Sequence, residues 1–196
     1  MYRKVPDHWD TNAYKENSDE NLKYVTKTID DFKFVSSKVM ICGRGTSSHP
    51  NFHPIFSTPT TDIKSTLYVT VDHSPAYTRF LTRKGDYALS IIVHPKVREK
   101  LESMNCNIYW FSPEYLDNSL PKINFGKNSG LAGISLAAYF KANYILLSGI
   151  NLTGQYEQFL EHSKTIFENI EKQGTKIFSL TGNLTKKISF EDWCKL

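Results

Sequence analysis

Residues 129–149 read SGLAGISLAAYFKANYILLSG, and this stretch decides the fold. Its first part is made of small and apolar residues and predicts a helix over 129–140. The continuous apolar run 144–148 predicts a short buried strand that ends at Gly149. Such a strand, apolar on both sides, is typical of a parallel sheet that helices cover on both faces.

The same alternation of short apolar strands and helices continues in both directions along the chain. The predicted strands lie at 38–42, 67–71, 87–93, 107–111, 144–148 and 176–180. The other predicted helices lie at 76–83, 97–104 and 157–173, with an earlier helix that starts at Asn17. This order predicts an α/β fold: a single domain with a Rossmann-like, doubly wound, mostly parallel sheet of about six strands and helices on both faces. Residues 1–17 are predicted to be an irregular N-terminal arm, residues 18–196 the α/β domain, and residues 44–65 a long loop.

The composition fits one globular domain and excludes several classes of protein. The chain has 196 residues, of which 40% are hydrophobic and 22% charged, and a formal net charge of +4. These values exclude a disordered chain, a collagen-like repeat and a disulfide scaffold. The positive charge is small and evenly spread, so it predicts no nucleic-acid partner, although it slightly favours an anionic small ligand.

The chain shows no sign of export or of membrane insertion. Its first residues contain no apolar segment of the kind that signal peptides have. The most apolar run, 142–150, is far shorter than the roughly 20 residues that cross a bilayer. We therefore expect a soluble, cytoplasmic protein with no membrane span. A homo-oligomer is compatible with the sequence, which does not fix the oligomeric state.

The residues directly after the strands are the candidates for a binding site, since ligands of such sheets lie at the carboxyl ends of the strands. Gly43, Gly45, Thr46 and Ser47 follow the first strand. Two glycines allow a tight turn and a close approach to a phosphate, which amides and hydroxyls can bind. The dinucleotide fingerprint is incomplete, because its third glycine and its acid about 20 residues further on are missing, so NAD is disfavoured. A purely structural glycine turn is the alternative.

Three further loops carry candidates. Ser129 and Gly130 open the helix of small residues, where free amides and a hydroxyl favour an anion; ordinary capping with tight packing is the alternative. Asp72 and His73 follow the second predicted strand, and Asn151 follows the fifth. The alternative for the loop at Asn151 is a simple turn.

No metal site is predicted. His49 and His53 are four residues apart, but the intervening Pro50 argues against a pair of ligands on one helix.

Three strings in this order resemble a known superfamily: ICGRGTSS at 41–48, LYVTVDHSP at 67–75 and NSGLAGISLAAYFKANYILLSGINLT at 128–153. The superfamily contains the bacterial sialyltransferases that use CMP-sialic acid, the related motility accessory factors and the archaeal 6-hydroxymethylpterin diphosphokinase. The resemblance extends from residue 38 to about 180. Thr46 stands where the family usually has a proline.

The resemblance implies a nucleotide-binding domain whose contacts come from the loops described above. Carried over by position, the nucleotide contacts are Gly43, Gly45, Ser47, Asp72, Ser129, Gly130 and Asn151. Thr46 and His73 lie in the same loops and are predicted to belong to the same nucleotide site.

The resemblance also implies two catalytic residues. The family has a His-Ser-Lys tripeptide whose histidine is its general base, and His162-Ser163-Lys164 matches it here. Tyr156 matches a tyrosine near the donor phosphate. This chain departs from the family in one respect, because only residues 150–161 separate the fifth strand from this histidine, where the sialyltransferases insert a long lid. A lid excludes water from a reactive donor, so its loss predicts hydrolysis or loss of activity.

Several functions therefore fit the sequence. The first is a nucleotide-binding transferase that moves a glycosyl group from a CMP-type nucleotide sugar to an unknown acceptor. The second is a diphosphokinase-like enzyme that uses ATP with Mg²⁺, for which Asp72 is the single acid that can be placed at a strand end. The third is a non-catalytic nucleotide-binding module, and the fourth is a structural domain that binds no nucleotide.

Overall fold

Eight parallel strands form one sheet in a computed structural model of the chain, which describes residues 11–45, 52–126, 128–152, 154–181 and 184–196. The strands are β1 (Lys38–Cys42), β2 (Ile55–Ser57), β3 (Leu67–Thr70), β4 (Asp86–Ser90), β5 (Asn107–Pro113), β6 (Lys122–Ile123), β7 (Tyr144–Ser148) and β8 (Lys176–Ser179). Their order across the sheet is β6-β5-β4-β3-β2-β1-β7-β8, and every neighbouring pair is parallel.

Helices cover both faces of this sheet. The α-helices are α1 (Thr11–Leu22), α2 (Pro95–Ser103), α3 (Ser129–Tyr139), α4 (Leu160–Lys172) and α5 (Phe190–Cys194), and the 3₁₀ helices are Ile29–Asp31, Pro75–Phe80 and Gly154–Phe159. The chain adds β1 to β6 in one direction and then returns to place β7 and β8 on the other side of β1. The strand order thus reverses between β1 and β7, and this doubly wound α/β arrangement confirms the predicted fold.

Alternate side chains of β1 point to opposite faces of the sheet and explain why both faces are covered. Ile41 packs beneath α3, where a Cβ on Gly133 would lie 3.2 Å from its Cγ2 atom. Met40 and Cys42 belong to a second buried cluster together with Trp193 of α5. Small residues on α3 therefore let that helix lie close to the centre of the sheet, next to the point where the strand order reverses.

The sheet has eight strands rather than about six, because the sequence analysis missed β2 and β6. These strands have three and two residues, too few to stand out as apolar runs. β2 lies within 44–65, which was predicted to be loop throughout. Its residues Ile55 and Phe56 are buried between β1 and β3.

The first helix differs from the prediction. Residues 11–17 were expected to be irregular, but they are helical and form the first half of α1, and the helix predicted to start at Asn17 ends at Leu22. α1 is polar and lacks an apolar stripe. The side-chain amides of two asparagines attach it to the rest of the domain instead. Asn17 and Asn21 are buried and donate hydrogen bonds to the backbone carbonyls of residues 91–93. A pattern search based on apolar periodicity cannot detect a helix that is fixed in this way.

Candidate functional site

A cleft of about 650 Å³ opens at the carboxyl edge of the sheet, where the strand order reverses. Its lining combines residues that follow β1 (Gly43, Arg44, Gly45), β2 (Thr58, Thr60), β3 (Val71, Asp72, His73) and β7 (Gly149, Ile150, Asn151, Leu152) with the start of α3 (Asn128, Ser129, Gly130). The remaining lining residues are Tyr77, Arg79, Phe80, Phe125 and Phe159. The turns near Gly43 and near Ser129, which are far apart in the sequence, therefore meet in one cleft.

Most of the sequence-predicted site residues come together here. Those that line the cleft are Gly43, Gly45, Asp72, His73, Ser129, Gly130 and Asn151. Thr46, Ser47 and the side chain of Tyr156 lie outside the described residues. His162 is not among the residues that line the cleft.

The glycines after β1 serve the contact between two loops. The amide of Gly43 donates to the carbonyl of Ser148 at 2.8 Å, and the amide of Gly45 donates to the carbonyl of Gly149 at 3.0 Å. A Cβ on Gly43 would lie 2.7 Å from the Gly149 carbonyl oxygen and 2.7 Å from Cγ1 of Ile150. The two glycines thus allow the loops after β1 and β7 to pack backbone against backbone. Their amides are already paired, so a phosphate must be held by other donors of the cleft.

The start of α3 is capped by its own chain. The side-chain oxygen of Asn128 accepts the amides of Gly130 at 2.8 Å and of Leu131 at 3.2 Å. The hydroxyl oxygen of Ser129 accepts the amide of Val71 at 3.2 Å, which ties the helix to the end of β3. The helix therefore presents the positive end of its dipole to the cleft, while Asn128 satisfies two of its first amides.

The loop after β3 places a carboxylate and an imidazole side by side. The carboxylate of Asp72 accepts the amide of Ser74 at 2.8 Å, which shapes the turn into the 3₁₀ helix Pro75–Phe80. His73 is exposed, and its Nδ1 atom lies 3.5 Å from the hydroxyl of Tyr14. The centres of these two rings are 4.9 Å apart with the rings nearly perpendicular. Among the described residues that line the cleft, Asp72 is the one carboxylate.

Two arginines that the sequence analysis did not select give the cleft its charge. Arg44 follows β1, and Arg79 lies in the 3₁₀ helix after β3, with its guanidinium carbon 4.7 Å from the centre of the Phe80 ring. Within the described ranges, neither arginine forms an ion pair. Two guanidinium groups against one carboxylate leave the lining net positive. A sequence signal was available for Arg44, which lies directly after the first predicted strand, whereas Arg79 falls within the predicted helix 76–83.

Aromatic rings and hydroxyls make up another part of the lining that was missed. The rings are Tyr77, Phe80, Phe125 and Phe159. Thr58 and Thr60 follow β2, and their hydroxyl oxygens are 2.8 Å apart. The threonines could not be placed at the site from the sequence, because β2 itself was not predicted.

The loop after β7 contains strained backbone. Leu152 has a φ of 46°, a left-handed conformation that costs a residue other than glycine about 1 kcal/mol or more. Its side chain is buried and lines the cleft. Nearby, the side-chain oxygen of Asn151 accepts the hydroxyl of Thr181 at 2.8 Å. Strain of this kind concentrates at binding sites, where the surrounding structure maintains it.

His162 lies on the exposed side of α4, beside the loop that precedes α3. A Cβ on Gly126 would lie 2.9 Å from the Cδ2 atom of its ring. Phe159, three residues earlier, does line the cleft. His162 is therefore only three residues from a residue that lines the cleft, but its own imidazole is not part of the lining.

The described residues contain no cluster of three or more His, Cys, Asp or Glu side chains that could hold a metal ion. In the same parts of the chain, every helix is too short or too polar to cross a membrane.

Comparisons with known proteins give one similarity of fold. No family model matches the chain. No curated protein matches it either. Among solved structures, the chain is similar to the sialyltransferase CstII from Campylobacter jejuni, in complex with a substrate analogue, cytidine-5'-monophosphate. The identity is 14%, the match covers 78% of this chain and 85% of that chain, and the TM-score is 0.41. A similarity at this level concerns the arrangement of the chain and supports no assignment of function.

Proposed function

We propose that the protein is a nucleotide-binding transferase that moves a glycosyl group from a CMP-type nucleotide sugar to an acceptor hydroxyl. One observation carries this proposal: the cleft at the reversal of strand order is lined by two arginines without ion-pair partners in the described chain and by four aromatic rings. Its volume of about 650 Å³ lies within the range of roughly 300–1,000 Å³ that is usual for small-ligand sites.

The arginines support an anionic ligand. A guanidinium offers several donors in one plane and pairs with two oxygens of a phosphate at once. Arg44 and Arg79 come from different loops and line one cleft, so both can act on the same ligand. The start of α3 adds the positive end of a helix dipole at the same place.

The rest of the lining supports a nucleoside. The rings of Tyr77 and Phe80 offer aromatic surface on which a base can stack. The hydroxyls of Thr58 and Thr60 offer hydrogen-bonding groups for a base edge or a ribose. A cleft that combines cations, aromatic rings and hydroxyls matches the three chemical parts of a nucleotide.

The proposed reaction is a direct displacement. The acceptor oxygen attacks the anomeric carbon and gives its proton to a base, while the bond from that carbon to the phosphate oxygen breaks. CMP leaves with the electron pair, and the negative charge that develops on its phosphate is stabilised by Arg44 and Arg79. No metal ion is required for this step.

The catalytic residues are those that the sequence resemblance implies. His162 is proposed as the base and Tyr156 as a contact of the donor phosphate. His162 lies beside Gly126 rather than in the lining of the cleft. The acceptor would therefore have to extend from the donor in the cleft to the imidazole ring. This makes His162 the residue of the proposal that most needs a direct test.

The test combines ligand binding with turnover. Thermal unfolding is measured with CMP, with CDP, and with ATP in the presence and absence of Mg²⁺. At 100 times its Kd, CMP should stabilise the protein by roughly 2.7 kcal/mol. Release of CMP from CMP-sialic acid is then compared between the wild type and His162→Ala. Loss of the base should slow turnover by about 10²–10⁴-fold while CMP binding is retained.

Each other result has a defined meaning. Equal turnover in the wild type and in His162→Ala removes His162 from the mechanism. Binding of CMP without any product identifies a non-catalytic nucleotide-binding module. Stabilisation that requires both ATP and Mg²⁺ identifies the diphosphokinase-like alternative. A protein that no nucleotide stabilises contradicts the proposal as a whole.

A further inference from the structure

We propose that Asp72 selects a ribose: its carboxylate accepts hydrogen bonds from the 2′- and 3′-hydroxyls of the nucleotide and so distinguishes ribonucleotides from 2′-deoxyribonucleotides. This inference rests on the proposed function, because it names the group that recognises the sugar of the bound nucleotide. It gives a role to a carboxylate in a cleft whose arginines, Arg44 and Arg79, favour an anion.

The carboxylate of Asp72 is held through one oxygen and available through the other. Its Oδ1 atom accepts the backbone amide of Ser74 at 2.8 Å. Within the described chain, its Oδ2 atom accepts no hydrogen bond, and neither Arg44 nor Arg79 forms an ion pair with it. An ionised carboxylate can accept about four hydrogen bonds through its two oxygens. Asp72 therefore combines a fixed position with unused acceptor capacity toward a ligand.

The charge of Asp72 restricts which part of a nucleotide it can contact. A phosphate oxygen beside the carboxylate would be repelled, because both groups are negative. Hydroxyl groups are donors, and the hydrogen bonds that they give to an ionised acceptor are roughly twice as strong as those between neutral groups. The amino group of a cytosine is a donor as well. The position of Asp72 in the cleft must therefore decide between the sugar and the base.

Asp72 lies between a part of the cleft that suits a phosphate and a part that suits a base. On one side, the amide of Val71 donates to the hydroxyl oxygen of Ser129 at 3.2 Å, which brings the chain before Asp72 to the positive end of the α3 dipole. On the other side, the turn at Ser74 leads into the 3₁₀ helix Pro75–Phe80, whose rings offer a stacking surface. Since the ribose joins phosphate and base, this order along the loop favours the sugar at Asp72.

The first experiment compares sugars in the wild type by calorimetry. CMP should bind about tenfold more tightly than 2′-deoxy-CMP, because loss of the 2′-hydroxyl removes a hydrogen bond to a charged group. Ribose 5-phosphate should likewise bind more tightly than 2-deoxyribose 5-phosphate. This second comparison does not depend on the base, and neither comparison depends on a variant.

The second experiment tests the carboxylate with Asp72→Asn. Asparagine can still accept the amide of Ser74, so the turn should be retained, and urea unfolding checks the stability of the variant. Because the charge is lost, the preference for CMP over 2′-deoxy-CMP should fall from about tenfold to about threefold or less. Asp86→Asn is the matched control and should keep the full preference. Asp86 accepts the side-chain amide of Asn107 at 2.7 Å and begins β4, at the edge of the sheet opposite the cleft.

The outcomes separate this inference from the proposed function. Equal affinities of the wild type for CMP and 2′-deoxy-CMP overturn the inference and leave the nucleotide site intact. An Asp72→Asn protein that keeps the tenfold preference also overturns it, as does one that loses a preference for CMP over UMP instead, which would assign Asp72 to the base. A preference that falls in Asp72→Asn, in a protein that releases no CMP from CMP-sialic acid, supports the inference and overturns the transferase. A wild type that binds neither CMP nor ribose 5-phosphate overturns both.

Discussion

The carbonyl oxygen of Gly149 accepts the amide of Gly45 at 3.0 Å and lies 2.7 Å from the position that a Cβ on Gly43 would occupy. The loops after β1 and β7 are therefore in direct backbone contact at the point where the strand order reverses. Since no side chain separates them, the backbone itself fixes where Arg44 and Asn151 stand in the lining of the cleft. The integrity of this contact should control both stability and ligand binding.

Gly43→Ala should separate the two loops. The new methyl group would meet the Gly149 carbonyl oxygen as well as the side chain of Ile150, and because the carbonyl belongs to the backbone, the loops must move. We expect a loss of about 1–3 kcal/mol in the free energy of unfolding, measured with urea, together with weaker binding of CMP.

Gly174→Ala is the matched control for that variant. Gly174 lies just after α4 with a φ of 95°, and apart from its neighbours in the chain no atom of the described residues lies within 4 Å of the position of a Cβ there. Alanine should cost roughly 1 kcal/mol there through its backbone conformation alone and leave CMP affinity unchanged. A Gly43→Ala protein as stable as the wild type would show that the loop contact is not needed.

Arg79→Gln should weaken the binding of phosphate-bearing ligands selectively. Removing a guanidinium that pairs with a phosphate should reduce CMP affinity about tenfold, while the affinity for cytidine, which has no phosphate, should not change. Calorimetry with both compounds measures the difference. Arg83→Gln is the control, because Arg83 pairs with Asp62 and does not line the cleft. An equal loss for CMP and cytidine would mean that Arg79 shapes the cleft rather than binding phosphate.

The sequence predicted the strands that have long apolar runs. It missed the short strands, which are stabilised mainly by pairing with neighbouring strands. β1 and β7 appear at their predicted positions, because four consecutive buried residues in each make a clear pattern. β2 has three residues and pairs with strands on both sides, so its existence depends on β1 and β3 more than on its own residues. The first half of α1, before Asn17, was missed for a similar reason, since Asn17 and Asn21 hold the helix through tertiary hydrogen bonds.

The location of the site could be predicted from the sequence, but only some of the contacts within it could. Parallel strands bring their carboxyl ends to one edge, so the meeting of the loops near Gly43 and Ser129 follows from topology. The pairing of the Gly45 amide with Gly149 does not, because it depends on the distance between two loops more than 100 residues apart in the printed sequence. The same holds for Tyr14 and His73, which are 59 residues apart.

Asn128 offers a way to separate the stability of α3 from ligand binding. Its side chain caps the helix, so Asn128→Ala should lower the free energy of unfolding by about 1 kcal/mol. Asn128→Asp should keep the cap and the stability, since aspartate is an equally good capping residue and its charge suits a helix N-terminus. The carboxylate would, however, face the cleft and repel an anion, so CMP affinity should fall. Unchanged CMP affinity in Asn128→Asp would indicate that no anion binds near this helix start.

His94 should make the stability of the protein depend on pH. Its Nδ1 atom accepts the amide of Lys96 at 3.2 Å and caps α2, a bond that requires the unprotonated ring. Burial, and then the charge of Lys96, lower the pKa of His94 below its ordinary value of 6.5. As pH falls, the unfolded chain therefore takes up this proton first, so the stabilisation is complete above about pH 6.5 and is lost as pH falls through the folded pKa.

The free energy of unfolding is measured with urea at about pH 7.5 and about pH 5.5. It should fall more between these pH values in the wild type than in His94→Asn, whose cap does not titrate. The other histidines are present in both proteins, so equal losses would show that His94 does not carry this dependence.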